Sequence, residues 1–152
     1  MNDHQFVVGL GDTERPALGF MPAPAIARRC IEPGNYVLIR DDAGRRRGFL
    51  LHGPARPGEP LHIYQACVEY DHRLRRYAAD AVAVVALRGQ VKGATEISLR
   101  CALDLAANAF WIAIGFTLIR YEIGGQQKQR TIARYSLPLN AAIPLCRQPA
   151  FF

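Results

Sequence analysis

The order of apolar segments in this 152-residue chain predicts a mixed α/β fold, an α+β arrangement with helices packed on the faces of a mixed sheet. Three observations carry that expectation. Two β-prone runs flank a polar turn between Tyr36 and His52, and a third run, Leu61 to Val68, breaks through a polar segment into an alanine-rich helical pattern. Helix and strand patterns then alternate as far as Leu137.

The chain opens with a short apolar stretch, Phe6 to Leu10. Met21 to Ile31 places Ile26 and Cys30 at helical spacing behind Pro22 and Pro24, which predicts a short helix. Tyr36 to Arg40 and Gly48 to His52, joined through Asp41-Asp42-Ala43-Gly44, predict an antiparallel hairpin. After the proline-rich loop from Pro54 to Pro60, Leu61 to Val68 predicts a buried central strand. From Leu74 to about Gln90, residues Leu74, Tyr77, Ala78, Ala81, Val82, Val85 and Leu87 form one face of a helix that Gly89 and Gly93 help to end. A strand over Thr95 to Arg100 follows, then a helix over about Leu105 to Ile114 stopped by Gly115, and a strand over Phe116 to Tyr121. Beyond the polar turn Gly124 to Gln127, Thr131 to Leu137 predicts the last strand.

Length predicts one domain over residues 1–152, large enough for a core without disulfides or metal. No apolar run reaches the ~18–20 residues of a membrane span, and the N-terminus lacks the basic-then-apolar order of a secretory signal. A cytoplasmic protein with no membrane partner is expected. Cys30, Cys67, Cys101 and Cys146 are widely spaced without a C-x-x-C pair, so buried thiols are expected, with no metal site. His52, His62 and His72 match no ligand spacing. The formal net charge is +6, almost all of the positive charge being arginine, and anionic partners are expected. The clusters Arg45-Arg46-Arg47 and Arg73, Arg75, Arg76 suit nucleotide phosphates or a nucleic-acid backbone; a solvated basic turn is the alternative for the first.

The segment from Ile63 to Ala78 is the most informative, because a strand that breaks into a helix start makes an anion site. The first helical N–H groups have no intrahelical partner and lie at the positive end of the dipole. Arg73-Leu74-Arg75-Arg76-Tyr77-Ala78 resembles the donor motif of the GNAT acyltransferase superfamily, Gln/Arg-x-x-Gly-x-Gly/Ala, with Arg76 in place of the first glycine. Asp104 to Phe116 resembles the family's later motif, Asn-x-x-Ala-x-x-Phe-Tyr-x-x-x-Gly-Phe, with Asp104 for asparagine, Trp111 for tyrosine, and Ala107, Phe110, Gly115 and Phe116 matching. Leu18-Gly19-Phe20-Met21-Pro22 and the hairpin resemble its acceptor-side half.

The resemblance implies a GNAT fold of about six to seven strands and about four helices. It implies an acyl-CoA donor, most simply acetyl-CoA, and transfer to an amine whose identity is not readable. The donor's pantetheine would lie between two parting strands, against the backbone of Cys67 and Val68. Arg73, Leu74, Arg75, Arg76, Tyr77 and Ala78 would hold its phosphates, with Asn108 and Trp111 as further contacts. Glu69, His62 and Asp104 are candidate bases, and Tyr64, Tyr77 and Tyr121 candidate acids, since Trp111 cannot give up a proton as a phenol does. Each has a structural reading beside the catalytic one: Glu69 a turn carboxylate, Asp104 the N-cap of the next helix. Two other readings are a phage-type, Mom-like enzyme modifying DNA bases, and a non-catalytic module binding nucleic acid or protein. The apolar tail from Ala141 to Phe152 could pack on its own sheet or support a homodimer.

Overall fold

The computed structural model describes residues 1–73, 75–124 and 130–139. Leu74, the turn through Gly125 to Gln127, Cys146 and the tail from Ala141 lie outside the described residues. The elements run α1 (Asp3–Thr13), α2 (Arg15–Leu18), α3 (Ala23–Ile26) continued by a π-helical turn (Ala27–Ile31), then β1 (Tyr36–Arg40), β2 (Arg46–His52) and β3 (Leu61–Val68). A 3-10 turn (Tyr70–His72), α4 (Tyr77–Lys92), β4 (Glu96–Ala102), α5 (Ala107–Ala113), β5 (Thr117–Gly124) and β6 (Arg130–Pro138) follow. The strands form one six-stranded sheet in the order β1-β2-β3-β4-β6-β5, and only β3 and β4 are parallel.

The sheet has a buried layer on each face. On one, α4 and α5 cover Leu50, Leu61, Ile63, Ile97, Leu99 and Tyr135. α4 forms because its alanine-rich sequence puts Ala81, Val82, Val85, Ala86 and Gly89 on a single stripe. Gly89 belongs inside that helix and does not help to end it, since α4 continues to Lys92; Gly89 is buried there, with Leu139 Cδ1 beside the place a Cβ would take. The helix ends at Gly93, whose φ of 79° is the left-handed conformation glycine adopts freely. On the other face, Val7, Ile26 and Cys30 pack over Phe49, Leu51 and Cys67 of β2 and β3. Cys30, Cys67 and Cys101 are buried free thiols.

α1 is a helix the sequence pattern did not assign beyond its apolar stretch. It starts on a capping box in which Asn2 and Gln5 exchange side-chain and backbone hydrogen bonds of 2.8 and 2.9 Å. Asp3 then takes the Arg46 guanidinium at 2.8 Å and the Tyr36 hydroxyl at 3.0 Å, fastening the helix to the hairpin. Arg46 holds the Asp3 carboxyl below the usual range.

β3 carries one residue more than its partner. Leu51 pairs with Gln65 and His52 with Ile63, so Tyr64 is an unpaired bulge residue. The bulge puts Tyr64 and Gln65 on the same side of the sheet, with Leu61 and Ile63 before it and Ala66 and Val68 after it facing α4 and α5.

One buried polar group locks the hairpin to α4. The His52 ring is 2% exposed; its Nδ1 lies 2.7 Å from the Gly53 carbonyl and its Nε2 3.0 Å from Arg88 Nη1, which also donates to the Tyr36 carbonyl. Nδ1–H donates and Nε2 accepts, so the ring is held neutral, and burial lowers its pKa from the ordinary 6.5. With the folded value depressed, the unfolded chain binds more protons at low pH. The stability His52 contributes is therefore complete above about pH 6.5 and is lost as pH falls below it. Thermal melts from about pH 8 to about pH 5 should show a falling Tm whose slope is shallower in His52→Gln; equal slopes would contradict the assignment.

Candidate functional site

The site begins where the sheet comes apart. β3 and β4 pair only at Leu61 with Ile97 and His62 with Ser98. Beyond these, β3 runs to Val68 and β4 to Ala102 with no shared ladder. The Tyr64 bulge comes two residues after the last pair, and a bulge bends and twists the strand that carries it. The two facing edges lose the partners a sheet provides, and buried backbone groups need replacements. At the tips, side chains supply them: Arg73 Nε donates to the Val68 carbonyl at 3.0 Å, and Asn108 Nδ2 donates to the Ala102 carbonyl at 2.8 Å.

Below the β3 tip, Arg76 starts α4 with φ 67° and ψ 1°, the left-handed region, and it alone among the described non-glycine residues has positive φ. Such a conformation costs a side-chain-bearing residue about 1–2 kcal/mol. Among the described residues no side chain caps α4, so its first amides are free to bind an anion. The sequence places Arg76 where a glycine stands in the motif, and the backbone there has the geometry a glycine would favour.

The other expected residues divide into two groups. Arg75 and Arg76 are exposed beside the helix start and, among the described residues, form no ion pair; Tyr77 and Ala78 are the first two residues of the helix. Arg73 is already engaged, since its Nη2 also lies 3.2 Å from Glu14. Trp111 is 7% exposed, with its ring edge-on to Phe110 at 4.8 Å and to Phe116 at 5.4 Å, and is a core residue. The Asn108 amide is engaged within the fold: Nδ2 also reaches the Leu105 carbonyl at 2.7 Å, and Oδ1 accepts from the Tyr135 hydroxyl at 2.7 Å. It joins β4, α5 and β6.

Asp104 does not cap α5. That helix starts later, at Ala107 after Ala106, and Asp104 instead pairs with Arg130 at 2.8 Å, which lowers its pKa. Tyr64 leans away from the parting toward Gly53, where its hydroxyl leaves no room for a Cβ, and lies 4.7 Å under the Arg29 guanidinium. Cys67 lines the opposite face from α4, and burial together with the Glu14 charge pushes its thiol up to about 11.

Glu69 stands at the tip of β3, with Arg47 Nη1 at 3.2 Å and His72 Nδ1 at 3.7 Å. Arg47 also pairs with Asp41 at 2.8 Å and holds that carboxyl below its usual range, so a turn arginine positions the carboxylate that follows the β3 tip. His72 Nδ1 is buried without a hydrogen-bond partner, and this environment had no signal in the sequence. The same holds for Gln65, which is 8% exposed, donates to the Gly19 carbonyl at 3.4 Å, and borders a cleft of about 240 Å³ between β3 and α1 to α3.

No protein-family model and no curated protein sequence matches the chain. Solved structures do. Ard1 from Thermoplasma volcanium aligns with a TM-score of 0.75 at 14% identity, over 90% of this chain and 90% of that chain. An aminoglycoside 6'-N-acetyltransferase complexed with coenzyme A gives 0.73 at 10% identity over 90% and 91%. The NatC complex bound to Gag peptide and CoA gives 0.73 at 16% identity over 91% and 93%. The chain has the GNAT fold these structures share, with its six-stranded sheet flanked by helices.

Relieving the left-handed backbone should show in stability. Arg76→Gly is expected to raise the unfolding free energy by up to ~1 kcal/mol, the relief of strain being partly offset by the added freedom of the unfolded chain. Arg76→Val should lower it by at least as much. Urea titrations of the three proteins would read the order.

Proposed function

We propose that this protein is an acyl-CoA-dependent N-acyltransferase, most simply one that moves an acetyl group from acetyl-CoA to an amine. The observation that carries the reading is the parting of β3 from β4, followed eight residues after Val68 by the uncapped start of α4 at Arg76. A pantetheine arm has amides that can hydrogen-bond two strand edges unable to reach each other, and a pyrophosphate suits free helix N–H groups. The solved neighbours bound to CoA support the same donor. They lend no support to the phage-type, DNA-directed alternative.

In this reading the amides of Tyr77 and Ala78 hold the donor's phosphates, with Arg75 and Arg76 adding charge. Backbone groups of β3 leading to Val68 hold the pantetheine. The acceptor's nitrogen attacks the thioester carbonyl, the C–N bond forms and the C–S bond breaks. Glu69, oriented by Arg47, takes the proton from the amine. A thiol with pKa near 8.5 can depart as thiolate close to neutral pH, so a buried Trp111 in place of a phenol does not halt the step.

Calorimetry with CoA and acetyl-CoA tests the donor site, and a ligand that binds only the folded state also raises Tm. Arg76→Asp, whose carboxylate suits a helix start but repels phosphate, should weaken CoA at least about tenfold while the free protein melts near the wild type. Arg73→Ala should instead lower stability by ~1–3 kcal/mol, because the Val68 carbonyl loses its donor. No CoA binding to the wild type would end the acyltransferase reading.

A further inference from the structure

On the face of the sheet opposite α4 and α5, three arginines stand side by side across three strands. Arg100 of β4 is the direct cross-strand partner of Arg134 of β6, and Arg134 is the direct partner of Arg120 of β5. Their neighbours along the strands, Leu99, Cys101, Ala133 and Tyr135, point into the core on the helix side, so alternation puts all three guanidiniums on the open face. One carboxylate serves them all: Glu122 meets Arg134 at 2.7 Å, Arg120 at 3.1 Å and Arg100 at 3.5 Å, and its pKa is lowered, by the Arg134 hydrogen bond first. Arg134 also donates to Ser98 Oγ at 3.0 Å.

Directly opposed like charges destabilise a sheet. Three guanidiniums against one carboxylate leave an excess of two positive charges in a row about 10 Å long, two strand spacings. Local conflict of this kind is expected where a site needs it. Arg134 is the innermost and best satisfied, whereas the side chains of Arg100 and Arg120 are 50% and 58% exposed and each keeps donors free of Glu122. The row starts at the parting of the strands: Arg100 lies two residues beyond Ser98, the last β4 residue paired with β3. Across the gap, Gln65 and Cys67 of β3 belong to the same face.

We infer that Arg100 and Arg120 form a specificity site for an oxyanion, carboxylate or phosphate, carried by the amine acceptor. The inference rests on the acyltransferase reading for the word acceptor, and on the arginine row for the word oxyanion. A guanidinium offers paired N–H donors that match either anion. Glu122 in the middle of the row tells against a continuous polyanion, whose successive phosphates would meet it, and favours a single anionic group near the parting.

The test titrates the full chain, alone and saturated with CoA, with the α-amides of glutamate and phosphoserine as amines bearing one side-chain oxyanion each, and with the α-amides of glutamine and serine, whose side chains are neutral, as counterparts. The expected result is that each anionic probe binds about tenfold or more tightly than its neutral counterpart. Arg100→Gln and Arg120→Gln should erase that preference, leave CoA affinity unchanged, and melt at or above the wild-type Tm, because each relieves like-charge repulsion. Equal binding of charged and neutral probes would overturn the inference, as would a preference that survives both substitutions. So would a loss of CoA affinity in either variant, which would move the row to the donor. A drop in Tm in both variants would make the row a structural device. The glutamate and phosphoserine arms separate carboxylate from phosphate. An anion preference in a protein that binds no CoA would overturn the donor reading and the acceptor assignment while keeping the anion site; CoA binding with no anion preference would do the reverse.

Discussion

Two parallel strands that pair for two residues and then separate impose the condition that organises the rest of the molecule. Backbone edges exposed inside a sheet must find hydrogen bonds elsewhere. The unpaired Tyr64 bends β3 at the point of departure, and the tips are then held by Arg73 and Asn108, whose side chains take the Val68 and Ala102 carbonyls. Those two residues tie in the rest: Arg73 reaches Glu14 at the end of α1, and Asn108 reaches Tyr135 of β6. The opening is thus framed from both halves of the chain.

Much of the fold was legible because its signals are local. The hairpin, the β3 run and the alanine-rich α4 each announce themselves within a short window of sequence. α1 was hidden, since Gly9 and Gly11 weaken its helical pattern and its stability comes from a capping box and from contacts with distant Arg46 and Tyr36. The start of α5 was read early because Asp104 looks like a cap; its carboxylate is drawn instead to Arg130, twenty-six positions along the chain.

Of the candidate site, the strand–turn–helix context and the odd residue at position 76 were readable, while the state of the side chains was not. Arg46, Arg47 and Arg73 read as anion binders, but the fold uses them on Asp3, on Asp41 and Glu69, and on Glu14. Arg100, Arg120 and Arg134 read as unremarkable strand residues, because a cross-strand row depends on register and no window of sequence contains it. A net charge of +6 therefore says little about where free positive charge stands.

The left-handed backbone at Arg76 also bears on how this position can change over generations. Arginine and glycine codons are a single base apart, and the penalty for arginine, about 1–2 kcal/mol, is a fraction of the 5–15 kcal/mol that typically holds a domain together. Drift between the two is then short and survivable. The left-handed backbone at the head of α4 accommodates either residue.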